Sequence, residues 1–206
     1  LYLYKTNIKI MDVIELLIDE DNEQLSIDAV SLVELPAIES DFIALKKDNN
    51  ISLAKVDEDK RLLIGAALIP DKKIYRYDAD TQKEYMVFFS KETIKRASEL
   101  YLINNNQDSA TLEHDTRISG VTAVESWIVA DKDRDKSAVY NIDVPVGTWM
   151  LSLKVDNDDI WKKVKDKSIK GYSIEGYFTS KLSKLSKQSY TDSDILNALA
   201  EILKVQ

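Results

Sequence analysis

Two side chains in this sequence carry the chemistry of a hydrolase: His114 in LEHDTR and Ser173 in GYSIEG. A serine hydroxyl becomes a nucleophile when a neighbouring base takes its proton, and an imidazole is the usual base near neutral pH. His114 is the sole histidine, and the chain has no cysteine. Multi-histidine zinc motifs, thiolate metal sites, disulfides and cysteine nucleophiles are thereby excluded, and no metal or other cofactor is expected. Only five glycines occur, at 65, 120, 147, 171 and 176, and three of them lie in the segments around His114 and Ser173. In a chain this poor in glycine, that placement points to backbone that turns sharply or approaches something closely.

Each residue also has a plainer reading. A lone histidine is more often a hydrogen-bonded structural residue, and glycines around a strand serine more often mark a bulge or tight packing. GYSIEG is not the nucleophile elbow of the α/β-hydrolases, since that motif needs a glycine two residues after the serine and Glu175 stands there. The acidic run DKDRDKSAVYNID lacks the sixth-position glycine and twelfth-position glutamate of a calcium loop, and reads as a solvated loop. Trp127, Trp149 and Trp161 read as core residues.

The elements that must position His114 and Ser173 are mostly strands. Residues 8–18 (IKIMDVIELLI), then RLLIGAALI, KKIYRY and KEYMVFF, have strand composition broken by turn residues such as Pro70-Asp71. Ser90 is placed to cap a helix whose apolar positions, Ile94, Ala97, Leu100 and Tyr101, recur at helical spacing. ATLEHD and VTAVESWIVA read as strands flanking Gly120. TWMLSLKV follows as another strand, then a helix from Asp156 with Ile160, Trp161 and Val164 inward, and finally GYSIEGYF as a closing strand.

The organisation expected is an N-terminal arm and linker over 1–50, a core over 51–180, and a tail over 181–206. That tail joins a Lys/Ser-rich linker to an amphipathic helix carrying Ile195, Leu196, Leu199, Ile202 and Leu203. At 206 residues, with 44% hydrophobic and 31% charged residues, the composition is that of an ordinary globular chain. No apolar run approaches the ~18 residues of a membrane helix, and acids by Asp12, Glu15 and Asp19 interrupt any export signal. A formal charge of -8 and a pI near 4.8 make nucleic acid an unfavourable partner.

Taken as an ordered set, SIDAVSLVELPAIESDFIAL, LLIGAALIPDKKIYR, YMVFFSKETIKRASELYL, LEHD, VESWIV, VPVGTWMLSLKV and IKGYSIEGYF resemble the XkdF-like group of phage prohead proteases. The similarity runs over roughly residues 25–180. It implies an α+β fold like the herpesvirus assemblin proteases, a mostly antiparallel β-barrel core with surrounding helices. It also implies a base and a nucleophile mapping onto His114 and Ser173, and a serine endopeptidase that cleaves phage scaffold and major capsid protein inside the assembling procapsid, in the host cytoplasm. A homodimer is in keeping with the herpesvirus relatives.

Those relatives place a second histidine after the serine, which this chain lacks, so a carboxylate takes the third position or the site is a dyad. Glu125 is the first choice. If Gly120 turns a hairpin in which Leu112 faces Glu125, the carboxylate lies diagonally beside His114 on one face. Glu113, Asp115 and Glu175 are the alternatives. Backbone N–H groups near Gly171 or Gly147, or Arg117, are candidates for stabilising an oxyanion. The competing function is a capsid-assembly or scaffold-associated protein of the same fold without activity.

Overall fold

Strands dominate because β-branched and aromatic residues recur here in short runs broken by turn residues. The computed structural model describes residues 11–19, 27–38, 43–45 and 60–180. In chain order the strands are β1 (Asp12–Leu17), β2 (Ala29–Val33), β3 (Ile43–Leu45), β4 (Leu62–Leu68), β5 (Ile74–Asp78) and β6 (Lys83–Phe89). Helix α1 (Lys91–Ile103) precedes β7 (Ala110–Leu112), β8 (Thr116–Ile118) and β9 (Val121–Ile128). After a short α2 (Lys136–Val139) come β10 (Trp149–Val155), α3 (Asp158–Lys165), β11 (Gly171–Glu175) and β12 (Thr179–Ser180). The expected tail helix and the 46–50 linker lie outside the described residues.

These strands form three four-stranded sheets, ordered β12-β1-β6-β5, β3-β4-β10-β9 and β11-β2-β7-β8. The closed, mostly antiparallel barrel expected from the family resemblance is not formed. Among the described residues each sheet is open at both ends, and two ladders, β1 with β6 and β2 with β7, are parallel. The cause lies in the N-terminal segment. Residues read from sequence as an arm supply β1 and β2, which insert among later strands instead of extending one continuous meander.

The middle sheet is the apolar centre. LLIGAAL of β4 is buried along almost its whole length, as expected of a strand covered on both faces. Trp149, Met150, Leu151 and Leu153 of β10 are all essentially inaccessible, and each such side chain contributes about 1.5–3 kcal/mol by leaving water. Trp149 packs edge-on against Tyr101 of α1 at 5.4 Å, and its indole N–H donates to Ser126 Oγ at 2.9 Å. The sheet that carries Ser173 is tied to this centre by Tyr172, fully buried, whose hydroxyl donates to the Leu63 carbonyl at 2.6 Å.

Two helix caps matter for the chain path. Ser90 caps α1, with its hydroxyl 3.0 Å from the Thr93 hydroxyl, and Ile94, Ala97, Leu100 and Tyr101 face inward as their spacing predicts. α3 begins at Asp158, two residues later than expected, and its cap is Asn157. Its Oδ1 accepts from the N–H groups of Asp159 (3.0 Å) and Ile160 (3.1 Å), and its Nδ2 donates to the Ser119 carbonyl at 3.0 Å. Gly120 is the other half of this joint. It has φ +73, its carbonyl accepts from Asp156 N at 2.7 Å, and a Cβ there would stand 3.2 Å from Asn157 N. Gly120 therefore does not turn a β7–β9 hairpin. It lets the chain leave one sheet at β8 and enter another at β9.

Candidate active site

The site is built on β2, a buried apolar strand with one polar residue, Ser31. In the register of its sheet, Ser31 stands opposite Ser173 of β11 on one side and beside Thr111 of β7 on the other. Side chains of directly paired residues share a face, so the three hydroxyl residues form a row across the sheet. Glu175, two residues beyond Ser173, falls on the same face by strand alternation.

ATLEHD does not remain extended as far as His114. β7 stops at Leu112, and the chain reverses in a four-residue turn closed by Asp115 N–H donating to the Leu112 carbonyl at 3.1 Å. The two central residues, Glu113 (φ 51) and His114 (φ 60), both have positive φ, the pattern of a type I′ hairpin turn, and the chain returns as β8. Such conformations cost a non-glycine residue about 1–3 kcal/mol and persist only where the surroundings hold them. Three hydrogen bonds do so. Glu113 N–H donates to the Leu32 carbonyl (3.1 Å), the Glu113 carboxylate accepts from Glu34 N–H (2.8 Å), and His114 N–H donates to Ser31 Oγ (2.9 Å).

Held in this way, the imidazole meets the carboxylate that follows the serine. His114 Nδ1 lies 3.1 Å from Glu175 Oε1, and the same oxygen accepts a hydrogen bond from the Thr111 hydroxyl. A carboxylate facing Nδ1 favours the tautomer with the proton on that nitrogen, which leaves Nε2 free to accept one. The His114 side chain is 45% exposed, enough to meet a substrate, whereas Glu175 is the more enclosed partner at 23%. Among the described residues no hydrogen bond joins Ser173 to His114. Catalytic hydrogen bonds of this kind commonly tighten only when substrate is bound.

Glu125 lies elsewhere. β9 pairs with β10 in the middle sheet and β7 pairs with β2 and β8, so the register that was to set Glu125 beside His114 does not exist. Its carboxylate accepts from Ser152 Oγ and forms an ion pair with Lys136, whose ammonium lies 5.1 Å from the Trp127 ring centre. Burial pushes the Glu125 carboxyl up, but the hydrogen bonds from Lys136 and Ser152 and the Lys136 charge outweigh it and hold the group below the usual glutamate value. The other candidates are also engaged locally. Asp115 accepts from the Thr116 hydroxyl at 3.2 Å, and Arg117 pairs with Asp28 at 3.2 Å. Gly147 belongs to the turn before β10, where a Cβ would meet Lys91 Cγ at 2.7 Å, and Gly171 opens β11 opposite Val33.

Trp149 and Trp161 are core residues, and Trp127 is half-buried with its indole donating to Asp135 at 3.0 Å. The 131–135 run ties itself up through its own backbone, Asp131 Oδ1 accepting from Asp133 N–H (2.9 Å) and Arg134 N–H (3.2 Å). Among the described residues no cluster of three or more carboxylates and imidazoles is arranged to hold a metal ion. Sequence reasoning overlooked Ser31 and Thr111. The signal for Ser31 was available, as a single hydroxyl inside the otherwise apolar run AVSLV.

A pocket of about 240 Å³ opens beside the serine, with Ser173, Ile174 and Gly176 on one side and Leu16, Leu68, Phe89 and Phe178 among the residues facing them. Next to it lies a larger cavity of about 630 Å³; Leu16, Arg76 and Phe178 line both.

No curated protein and no solved structure matches the chain significantly. One family model does, over residues 50–181, which is more than half of the sequence and includes both His114 and Ser173. On that match the chain belongs to the family described as "putative phage serine protease XkdF".

Proposed function

We propose that the protein is an endopeptidase in which Ser173 is the nucleophile, His114 the general base and Glu175 the carboxylate that orients it. The observation that carries this reading is the contact between His114 Nδ1 and a carboxylate on the same strand as the serine. In the reaction, Ser173 Oγ bonds to the scissile carbonyl carbon while its proton passes to His114 Nε2. The amine leaves with that proton, and water then hydrolyses the acyl-serine with His114 acting again as base. Glu175 holds the ring and stabilises the imidazolium formed in each step. The orienting role expected of Glu125 passes to Glu175 in this account.

The reading extends to phage scaffold and major capsid protein as the substrates, cleaved inside the assembling procapsid in the host cytoplasm; the family match itself supports a phage serine protease. Co-expression of the protein with its phage's scaffold and capsid proteins tests this. Processed fragments should appear with the wild type and be absent with Ser173→Ala. Unchanged fragments with the alanine variant would remove the assignment. The lack of a Ser173–His114 hydrogen bond favours the second reading, an assembly factor without activity, and that reading requires wild type and variant to leave both proteins intact.

A further inference from the structure

We infer that the pocket beside Ser173 is the subsite for the side chain of the substrate residue whose carbonyl is attacked, and that it selects an aliphatic side chain of leucine or methionine size. This rests on the reading of Ser173 as the nucleophile. The first support is position. β11 is the end strand of its sheet among the described residues, paired on one side with β2. The pocket is walled by residues of β1, β4, β5 and β6, none of which pairs with β11, together with Tyr172, Ser173 and Ile174 of β11 itself. The residue that acylates Ser173 has its Cα one bond from the attacked carbon, which brings its side chain within reach of the cavity that Ser173 lines.

The second support is size and chemistry. At about 240 Å³ the pocket is smaller than the ~300–1,000 Å³ typical of sites for whole small-molecule ligands, and suits a single side chain. Leu16, Ile38, Leu68, Phe89 and Phe178 bring apolar side chains to its wall, polar atoms supply nearly as much of its surface as apolar ones, and Arg76 is its charged member among the described residues. Arg76 is exposed and also lines the neighbouring cavity, to which Asp12, Asp78, Lys83 and Glu84 bring further charged side chains. Charged flanking parts of a polypeptide therefore have charged side chains to meet there, while the residue at the bond enters the pocket whose wall includes Leu16, Ile38, Leu68, Phe89 and Phe178. An ammonium in that pocket would lose water and meet the Arg76 guanidinium, with no carboxylate among the described lining residues to pair with it.

The test uses diphenyl α-aminoalkylphosphonates, in which Ser173 Oγ bonds to phosphorus and phenol leaves carrying the serine proton. Analogues with isobutyl, methyl, carboxyethyl and aminobutyl side chains are compared by the rate of adduct formation, read by intact-protein mass spectrometry. The isobutyl analogue should react at least ~10-fold faster than the methyl one and faster still than either charged one. Ala37→Leu, which fills the pocket from a half-buried position, should reduce the isobutyl-to-methyl ratio at least ~10-fold. Phe178→Ala, which opens the pocket, should shift preference toward a benzyl analogue and serves if the first variant does not fold. Ser173 labelling without side-chain preference, a preference for carboxyethyl, or ratios unmoved by the variants would overturn the subsite while leaving the nucleophile intact. A small fluorophosphonate without a side chain separates the two failures. If it too leaves Ser173 unlabelled, the nucleophile assignment falls and the subsite with it.

Discussion

His114 Nδ1 lies 3.1 Å from Glu175 Oε1, and Glu175 stands two residues beyond Ser173 on the same strand. Serine and carboxylate thus ride on one strand and share one face. The imidazole reaches that face from a turn after a strand that is not its neighbour. Any slip of β11 against β2 by one residue would send both groups to the other side of the sheet. The same register builds the row of hydroxyl residues through Ser31.

Glu175→Gln keeps the shape of the side chain but removes the charge that favours the imidazolium. The expected loss in kcat is about 10²- to 10⁴-fold, with KM little changed, by comparison with other orienting carboxylates. Steady-state kinetics on a processed substrate measures it. An equal loss in Glu125→Gln with none in Glu175→Gln would return the role to Glu125.

Glu125→Gln should act on stability instead. The Glu125 carboxyl is held below its ordinary value of 4.5, so its ionised form contributes stability that is present above that value and is lost as pH falls through the lower folded-state value. The variant should therefore be less stable than wild type near neutral pH and converge with it on acidification. The pair is partly exposed, so the effect at pH 7 should lie within about 1 kcal/mol. Denaturant titrations at several pH values read this difference, and a gap that widened toward acid would contradict the sign.

Ser31→Ala removes the acceptor for His114 N–H at a fully buried position. The expected cost is about 1–3 kcal/mol for the unsatisfied donor. Catalysis should fall as well, because the positive-φ turn at Glu113 and His114 loses one of its three ties. Thermal unfolding and kcat should move together. A destabilised but fully active variant would show that the turn does not depend on this contact.

Gly120→Ala should be destabilising by about 1–2 kcal/mol, since its φ of +73 disfavours any Cβ and the new methyl group would press on Asn157. Asn157→Ala should cost about 0.5–2 kcal/mol through the lost cap of α3. Equilibrium unfolding of both variants and of the double variant would show the two effects as less than additive, because they act on one joint. Full additivity would indicate separate causes.

The parts of the fold carried by local pattern were legible. The apolar run of β4, the spacing in α1 and the inward Ile160, Trp161 and Val164 of α3 all stand where periodicity puts them. What pattern could not give was pairing. Nothing local says that β2 pairs in parallel with β7, or that residues 171–180 divide between two sheets, because these depend on contacts between distant segments. The same limit governed the site. His114 and Ser173 stood out by type and by neighbouring glycines, whereas the choice among Glu113, Asp115, Glu125 and Glu175 turned on strand order. The hairpin assumed for Gly120 set β7 beside β9, and the structure sets it beside β2. That one difference moves the carboxylate facing the imidazole from Glu125 to Glu175.

Labelling by a fluorophosphonate tests most directly whether Ser173 is activated by His114 under the influence of Glu175. Intact and peptide mass spectrometry should find a single adduct, on Ser173 of the wild type. His114→Ala should abolish it, and Glu175→Gln should slow its formation by about 10²-fold or more. No adduct on folded wild-type protein, an adduct on another serine, or equal rates in wild type and His114→Ala would contradict the account.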